Sequence, residues 1–354
     1  MSFLPLAGRR VVDLTSSLAG PSCTQLLAAL GAEVVKVEPE GGDHARAWGP
    51  PFVAGNGALW FAANAGKRSV VLDLDRDRGE LLELVDEADV FVQSLRPGLA
   101  ERHGVDAATL RTRKPSLVHV SIGAYRDRPG YDPLVQAASG IMSVTGEPGR
   151  PPVRVGVSLV DFATGQWAAI GILAALLRGG GATIEASLYE TALALLAGHV
   201  AGAAATGENP GRHGTAFPLI APYEVFAGDL MIAAGSDALY ERLRGALGLP
   251  EDARFATNPD RVAHRDALRE TIESALTGRS SAEWEELLVE AGVPAARVRT
   301  VAEALADEHT QALGILQTLG DGVTVAPPLT VDGERLRHRS PPPALEHGPP
   351  EPSG

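Results

Sequence analysis

The chain has 354 residues, 45% of them hydrophobic and 21% charged, with a formal net charge of -13. That length builds one large domain or two ordinary ones, and the acidic balance argues against a nucleic-acid partner, which calls for a basic face. Cys23 is the single cysteine, so an internal disulfide is impossible and a reducing, cytoplasmic setting is expected.

In chain order, Arg10 to Leu14 reads as a short apolar strand, Gly20-Pro21 as a turn, residues 23–32 as a helix and Glu33 to Glu38 as a second strand. Before this unit no leader pattern is read at residues 1–30, and no run along the chain reaches the length that spans a bilayer, so no membrane partner is expected. Strand-like runs recur at 69–74, 88–94 and 116–123 with helical segments between several of them. Such alternation predicts an α/β fold with a largely parallel sheet covered by helices. Phe162 to Leu177, broken by Thr164, Gly165 and Gln166, reads as a buried helix. A glycine loop at 179–181, a strand at 182–188 and a helix at 189–205 follow, and 206–218 has turn composition. Residues 219 to about 320 alternate short strands with amphipathic helices near 237–248, 261–277 and 281–291, the pattern of a smaller α+β domain. The Pro-rich tail from Ser340 reads as a loose end.

Several motifs carry possible chemistry. Glu38 closes a β-α-β unit as the ribose-binding acid of dinucleotide folds does, but the sequence Leu18-Ala-Gly-Pro-Ser is not the glycine fingerprint. Lys67 and Arg68 precede one strand, and Arg96 and Arg102 follow another; two such cationic loops could clamp phosphates or simply be surface charge. Asp161 stands where a strand-like run meets the long helix, so it is either an N-cap or a carboxylate placed for nucleophilic attack beside helical amides. Metal-binding spacings, a P-loop and a G-x-S-x-G elbow are all absent from the sequence, and no metal is expected.

Taken together, the stretches 13–38, 42–48 (GDHARAW), 64–74 (NAGKRSVVLDL), 88–98 (ADVFVQSLRPG), 128–140, 155–165 (VGVSLVDFATG) and 221–226 (APYEVF) resemble, in order, the class III CoA-transferases of the CaiB/BaiF type. That family includes formyl-CoA and carnitine CoA-transferases and the 2-methylacyl-CoA racemases. The resemblance implies a Rossmann-like large domain at 1–205, a linker at 206–220, a small α+β domain at 221–320, a return to the large domain at 321–354, and an interlocked homodimer. It implies a CoA site at Lys67, Arg68, Leu72, Ser94, Leu95, Arg96 and Arg102, substrate contacts at Leu18 and Trp48, and catalytic positions at Asp161, Asp132 and Tyr131. Leu18 replaces a glutamine, Asp75 a lysine and Asp132 a glutamate of formyl-CoA transferase. Residues 207–214 are the candidate for the family's mobile glycine-rich loop, and its C-terminal helix is not recognisable.

On this reading the partners are an acyl-CoA and a free carboxylic acid, with coenzyme A as substrate and carrier and no permanently bound cofactor. Two alternatives stand beside CoA transfer. One is a 2-methylacyl-CoA racemase, which Tyr131 disfavours because racemases of the family carry a histidine there, and tyrosine is a weak base near neutrality. The other is a non-catalytic CoA-binding subunit.

Overall fold

The computed structural model describes residues 3–345, so most of the expected loose tail lies outside the described residues. Packing divides the chain into two units. One holds the described residues up to Ile141, Arg154–Gly207 and those from Glu308 on; the other holds Met142–Val153 and Glu208–Asp307. The second unit thus differs in extent from the 221–320 read from sequence. Arg212 donates to the carbonyls of Glu147 and Arg150, and Gly214 N–H to that of Gly146, which gathers 142–153 and the supposed linker into one body. The hairpin of Leu316–Leu319 and Gly322–Val325 belongs to the first unit, where Leu319 packs with Phe61 and Ala65.

The first unit is built on six parallel strands: β1 Arg10–Leu14, β2 Glu33–Glu38, β3 Lys67–Val71, β4 Val90–Gln93, β5 Val118–Gly123 and β6 Thr183–Ser187. Their order across the sheet is β3-β2-β1-β4-β5-β6. The central strands are short valine-rich runs, and every residue of β4 is buried, as expected of a parallel sheet covered on both faces. The order reverses between β1 and β4, and in such sheets a ligand crevice opens beyond the carboxyl ends of the strands at that point.

Helix α1, Ala19–Ala29, links the end of β1 to the start of β2. Helix α2, Asp132–Ser139, follows β5, and α3, Leu159–Leu177, leads through a glycine turn into the start of β6. Both α1 and α3 therefore run against the strands and begin at the carboxyl edge of the sheet. Their close packing depends on Gly165: a Cβ there would stand 2.3 Å from Ser22 Oγ and 2.6 Å from the Ala19 carbonyl oxygen.

The expectation of a fully buried long helix is corrected. Helix α3 buries Val160, Thr164, Gly165, Ala168, Ala169, Ile172 and Ala175, while Trp167 and Ile170 are 57% and 54% exposed. Small residues predominate on the packed side and allow close approach, whereas Trp167 and Ile170 fall outside it. The reading that no run could span a bilayer is corrected too, because an 18-residue window of this 19-residue helix has a mean hydropathy of 1.5, enough by length and composition alone. Core helices pass the same test, and α3 packs against α1 and the sheet. Two further helices follow β6: α4, Leu188–Leu195, and α5, Ala197–Thr206, which buries no residue.

The second unit has three antiparallel strands, β7 Tyr223–Phe226, β8 Leu230–Ala233 and β9 Ala295–Arg297, in the order β9-β8-β7. Helices α6, Asp237–Leu247, α7, Arg265–Ala275, and α8, Ser281–Glu290, supply Tyr240, Leu243, Leu268, Ile272, Trp284 and Leu288 to its core. The third of these starts with a capping box, Ser280 with Glu283.

Gly165→Ala should destabilise the protein by about 1–2 kcal/mol, since overpacking against backbone outweighs the helix propensity that alanine adds. A fall in the urea midpoint at unchanged slope is the expected readout.

Candidate active site

At the carboxyl edge of β1–β3 lies a group of buried charges. The Asp13 carboxylate, fully buried, accepts from Thr15 N–H at 3.0 Å, from Thr24 Oγ1 at 2.6 Å and from Lys67 Nζ at 3.0 Å. Lys36 Nζ donates to the Thr15 carbonyl at 2.7 Å and pairs with Asp43 at 3.1 Å. Burial alone would raise the Asp13 carboxyl; the charges of Lys67 and Lys36 and the two threonine hydroxyls outweigh it and hold the group far below the usual carboxylate range. These contacts set the path of residues 15–18, whose Ser16 N–H reaches across the strand-order reversal to Ser94 Oγ at 3.0 Å.

The second group lies at the start of α3. Asp161 is the third residue of that helix, not its N-cap, and Ser158 at the cap makes no side-chain bond to it. The capping acceptor comes from another helix: Asp132 Oδ2 accepts from Val160 N–H at 2.8 Å and Asp161 N–H at 3.2 Å. Gln136, one turn along α2, donates to Asp132 Oδ1 at 2.6 Å and accepts from Val155 N–H at 2.9 Å. One buried carboxylate therefore serves the first turns of two helices, where the partial positive charge of the amides favours it.

No hydrogen bond to the Asp161 carboxylate forms among the described residues. Burial, with the charge of Asp132 added, pushes its pKa up to about 7. A half-buried carboxyl with unengaged oxygens, its pKa raised to near neutrality, is suited to nucleophilic or acid/base work.

The other sequence-predicted positions divide. Leu72 directly follows β3 and is buried, Ser94 and Leu95 follow β4 half-buried, and Arg96 and Arg102 are exposed at the same carboxyl edge. Arg102 stands 3.6 Å from Asp75 in an exposed pair. Lys67 does not join them: its ammonium is buried and its three protons go to Asp13, the Pro21 carbonyl and Asn64. Arg68 is the next residue of β3, at the opposite end of that strand from Leu72, and the strands carrying the two cationic segments are separated by β2 and β1. Glu38 is likewise spent, bonded to Arg46, Ser69 and the Asp43 amide. Leu18 is buried at the start of α1; Trp48 is half-exposed; Tyr131 is 53% exposed at the N-cap of α2.

Sequence reading missed Gln136 and the pairing of Lys36 with Asp43. The first was signalled by its i, i+4 spacing from Asp132 on a helix. The second had no local signal, because Asp43 lies beyond β2, at the N-cap of the short 3-10 helix His44–Ala47, and only the folded loop returns it to Lys36.

The sequence model of CoA-transferase family III matches residues 6–348. Succinate–glutarate CoA-transferase of Agrobacterium fabrum is 39% identical over 97% of this chain and 94% of its own length. Acetyl-CoA:oxalate CoA-transferase of Acetobacter aceti is 38% identical over 95% of this chain and 92% of its own. A CaiB/BaiF family protein from Brucella suis of known structure superposes with a TM-score of 0.87 at 36% identity, covering 96% of each chain.

Asp132→Asn leaves an amide oxygen to accept from Val160 but removes the charge facing Asp161. The Asp161 carboxyl should then titrate below 7 while staying above the ordinary aspartate value, since burial is the larger cause. Carbon-detected NMR titration of aspartate carboxyls in the parent and the variant measures it, and an unmoved midpoint would exclude the coupling.

Proposed function

The chain belongs to CoA-transferase family III, and on that premise we propose that it moves CoA from an acyl-CoA to a dicarboxylic acid, in the cytoplasm, through a thioester on Asp161. The observation that carries this reading is the Asp161 carboxylate itself, free of hydrogen bonds among the described residues and set at the carboxyl edge of a sheet whose strand order reverses nearby. Dicarboxylic acids are suggested by the names of the two CoA-transferases above, which act on succinate, glutarate and oxalate.

The steps balance without net proton transfer. Asp161 attacks the acyl carbonyl of the donor and expels CoA thiolate, leaving a mixed anhydride. The thiolate attacks the aspartyl carbonyl, the donor acid leaves as its carboxylate, and an aspartyl-CoA thioester remains. The acceptor carboxylate attacks that thioester, thiolate leaves again, and its attack on the new acyl carbonyl yields product and free Asp161. Dividing the exchange this way replaces one difficult step with easier acyl transfers, and the amides at the start of α1, which no side chain caps, suit the developing oxyanions. Leu72, Ser94, Leu95, Arg96 and Arg102 would hold CoA along the same edge, the arginines on its phosphates. Asp132 would position Asp161 through the shared cap, and Tyr131 and Trp48 would border the acyl group.

Two outcomes test this. Asp161→Asn should lower the transfer rate at least about a thousandfold, and the parent mixed with donor alone should gain a hydroxylamine-sensitive CoA adduct on the Asp161 peptide. The variant should fold and be at least as stable as the parent at pH 8. The reason is one of sign: a carboxyl whose pKa is higher folded (about 7) than unfolded loses stability as pH rises between the two values. Near-parental transfer by the variant would remove the assignment.

The exposed apolar side of α3 and the uncovered helix α5 further suit a homodimer of the family's interlocked kind. Sedimentation at micromolar concentration should give about twice the chain mass of 36.8 kDa; an active monomer would exclude it.

A further inference from the structure

The turn between β1 and α1 carries a polar pair that the transfer steps do not use. Ser17 adopts a left-handed φ of 68°, a conformation that costs a non-glycine residue and often marks a functional position. Its Oγ lies 3.0 Å from Nε2 of His44, 27 residues further on. Asp43 holds the pair from beneath. One of its oxygens accepts from Ser17 N–H at 3.3 Å and Ala45 N–H at 3.0 Å and stands 3.6 Å from His44 Nδ1; the other is paired with Lys36. The imidazole is half-exposed, and the Trp48 ring meets it edge-on with centroids 5.1 Å apart.

Topology places this pair at the same edge as Asp161. Because α1 and α3 both start there and meet closely at Gly165, the residues before α1 and those in the first turn of α3 lie at the same end of this helix pair. The other cations of the β1–β2 side are occupied: Lys36 and Lys67 in the buried network, and Arg46 with Glu38, Asn56 and the Pro343 carbonyl. An acyl group with a second carboxylate needs a donor for it in a site sheltered from water, since an unpaired charge there is costly.

We propose that Ser17 and His44 form the subsite for the far carboxylate of a dicarboxylic acyl group, with Trp48 against its methylene chain. His44 Nε2 lies within hydrogen-bond distance of Ser17 Oγ; with Nε2–H donated to that oxygen, the serine hydroxyl proton is left to donate to the carboxylate. Monocarboxylic acids of equal length make no use of the pair. This inference rests on the transfer reading above and names the part of the site that selects the acid.

The test compares succinate and glutarate with butyrate and valerate as acceptors from acetyl-CoA, together with calorimetric binding of glutarate to the resting enzyme. The parent should prefer the dicarboxylic acids. His44→Ala should raise KM for succinate and glutarate and weaken glutarate binding roughly tenfold to a hundredfold, leaving kcat/KM for butyrate within about twofold. Ser17→Gly, which relieves the left-handed backbone while removing the hydroxyl, should do the same to a smaller degree without loss of thermal stability, separating recognition from folding. Equal losses for glutarate and butyrate, or unchanged glutarate binding in both variants, would overturn the subsite. So would loss of glutarate binding on Arg128→Ala instead, the exposed arginine stacked on Tyr125 near Tyr131. Glutarate binding that depends on His44, without CoA transfer to any acid, would leave the subsite standing and sink the transfer reading.

Discussion

Everything at the carboxyl edge of the large sheet depends on one buried carboxylate, Asp13. A lone charge in that position would be prohibitively costly, and the chain meets the cost with ammonium groups from two neighbouring strands, Lys36 on β2 and Lys67 at the start of β3, and with hydroxyls from Thr15 and Thr24. Removing one partner of such a group leaves the others uncompensated, at a cost of about 3–5 kcal/mol. Each partner sits on a different element, so their mutual attraction fixes the turn after β1, the start of α1 and the spacing of three strands in a single arrangement. The same attraction explains why Lys67 cannot also be a phosphate ligand: it already has three acceptors.

A second carboxylate, Asp132, plays a comparable part between helices but with an opposite effect on its neighbour. By accepting from the first amides of α3 it anchors the helix, and by lying close to Asp161 it opposes ionisation there. Anchoring and pKa tuning are thus one interaction. Gln136 completes it by tying the segment before α3 to α2, so the candidate nucleophile is carried on backbone held from two directions.

Much of the fold was legible in the chain itself. The valine-rich runs at β1, β2, β4 and β5 have the length and continuity of doubly covered parallel strands, and the helices of the second unit announced themselves by apolar periodicity. The boundaries of the second unit were less legible, because residues 142–153 join it through backbone carbonyls that carry no side-chain signal. Asp161 could be singled out from its place at a helix start, but its N-cap reading failed: the cap is filled from 29 residues earlier in the chain. Lys67 misled for the same reason. Beside Arg68 it looks like half of a cationic loop, and nothing local reveals that its side chain turns inward to Asp13. Interactions between elements distant in sequence decide which charges face solvent and which hold the framework.

The left-handed turn at Ser17 has a consequence for how such an enzyme can change. The framework beneath that turn is made by Asp13, Lys36, Asp43 and the backbone, whereas the hydroxyl of Ser17 and the imidazole of His44 hang from it toward solvent. Position 44 can accept almost any side chain, and position 17 those that tolerate a positive φ, glycine, asparagine and aspartate above all. If these side chains select the acid as proposed, acid preference can drift through a handful of substitutions that the folding of the sheet does not register, and a library aimed at new acceptors could be confined to these two positions and Trp48.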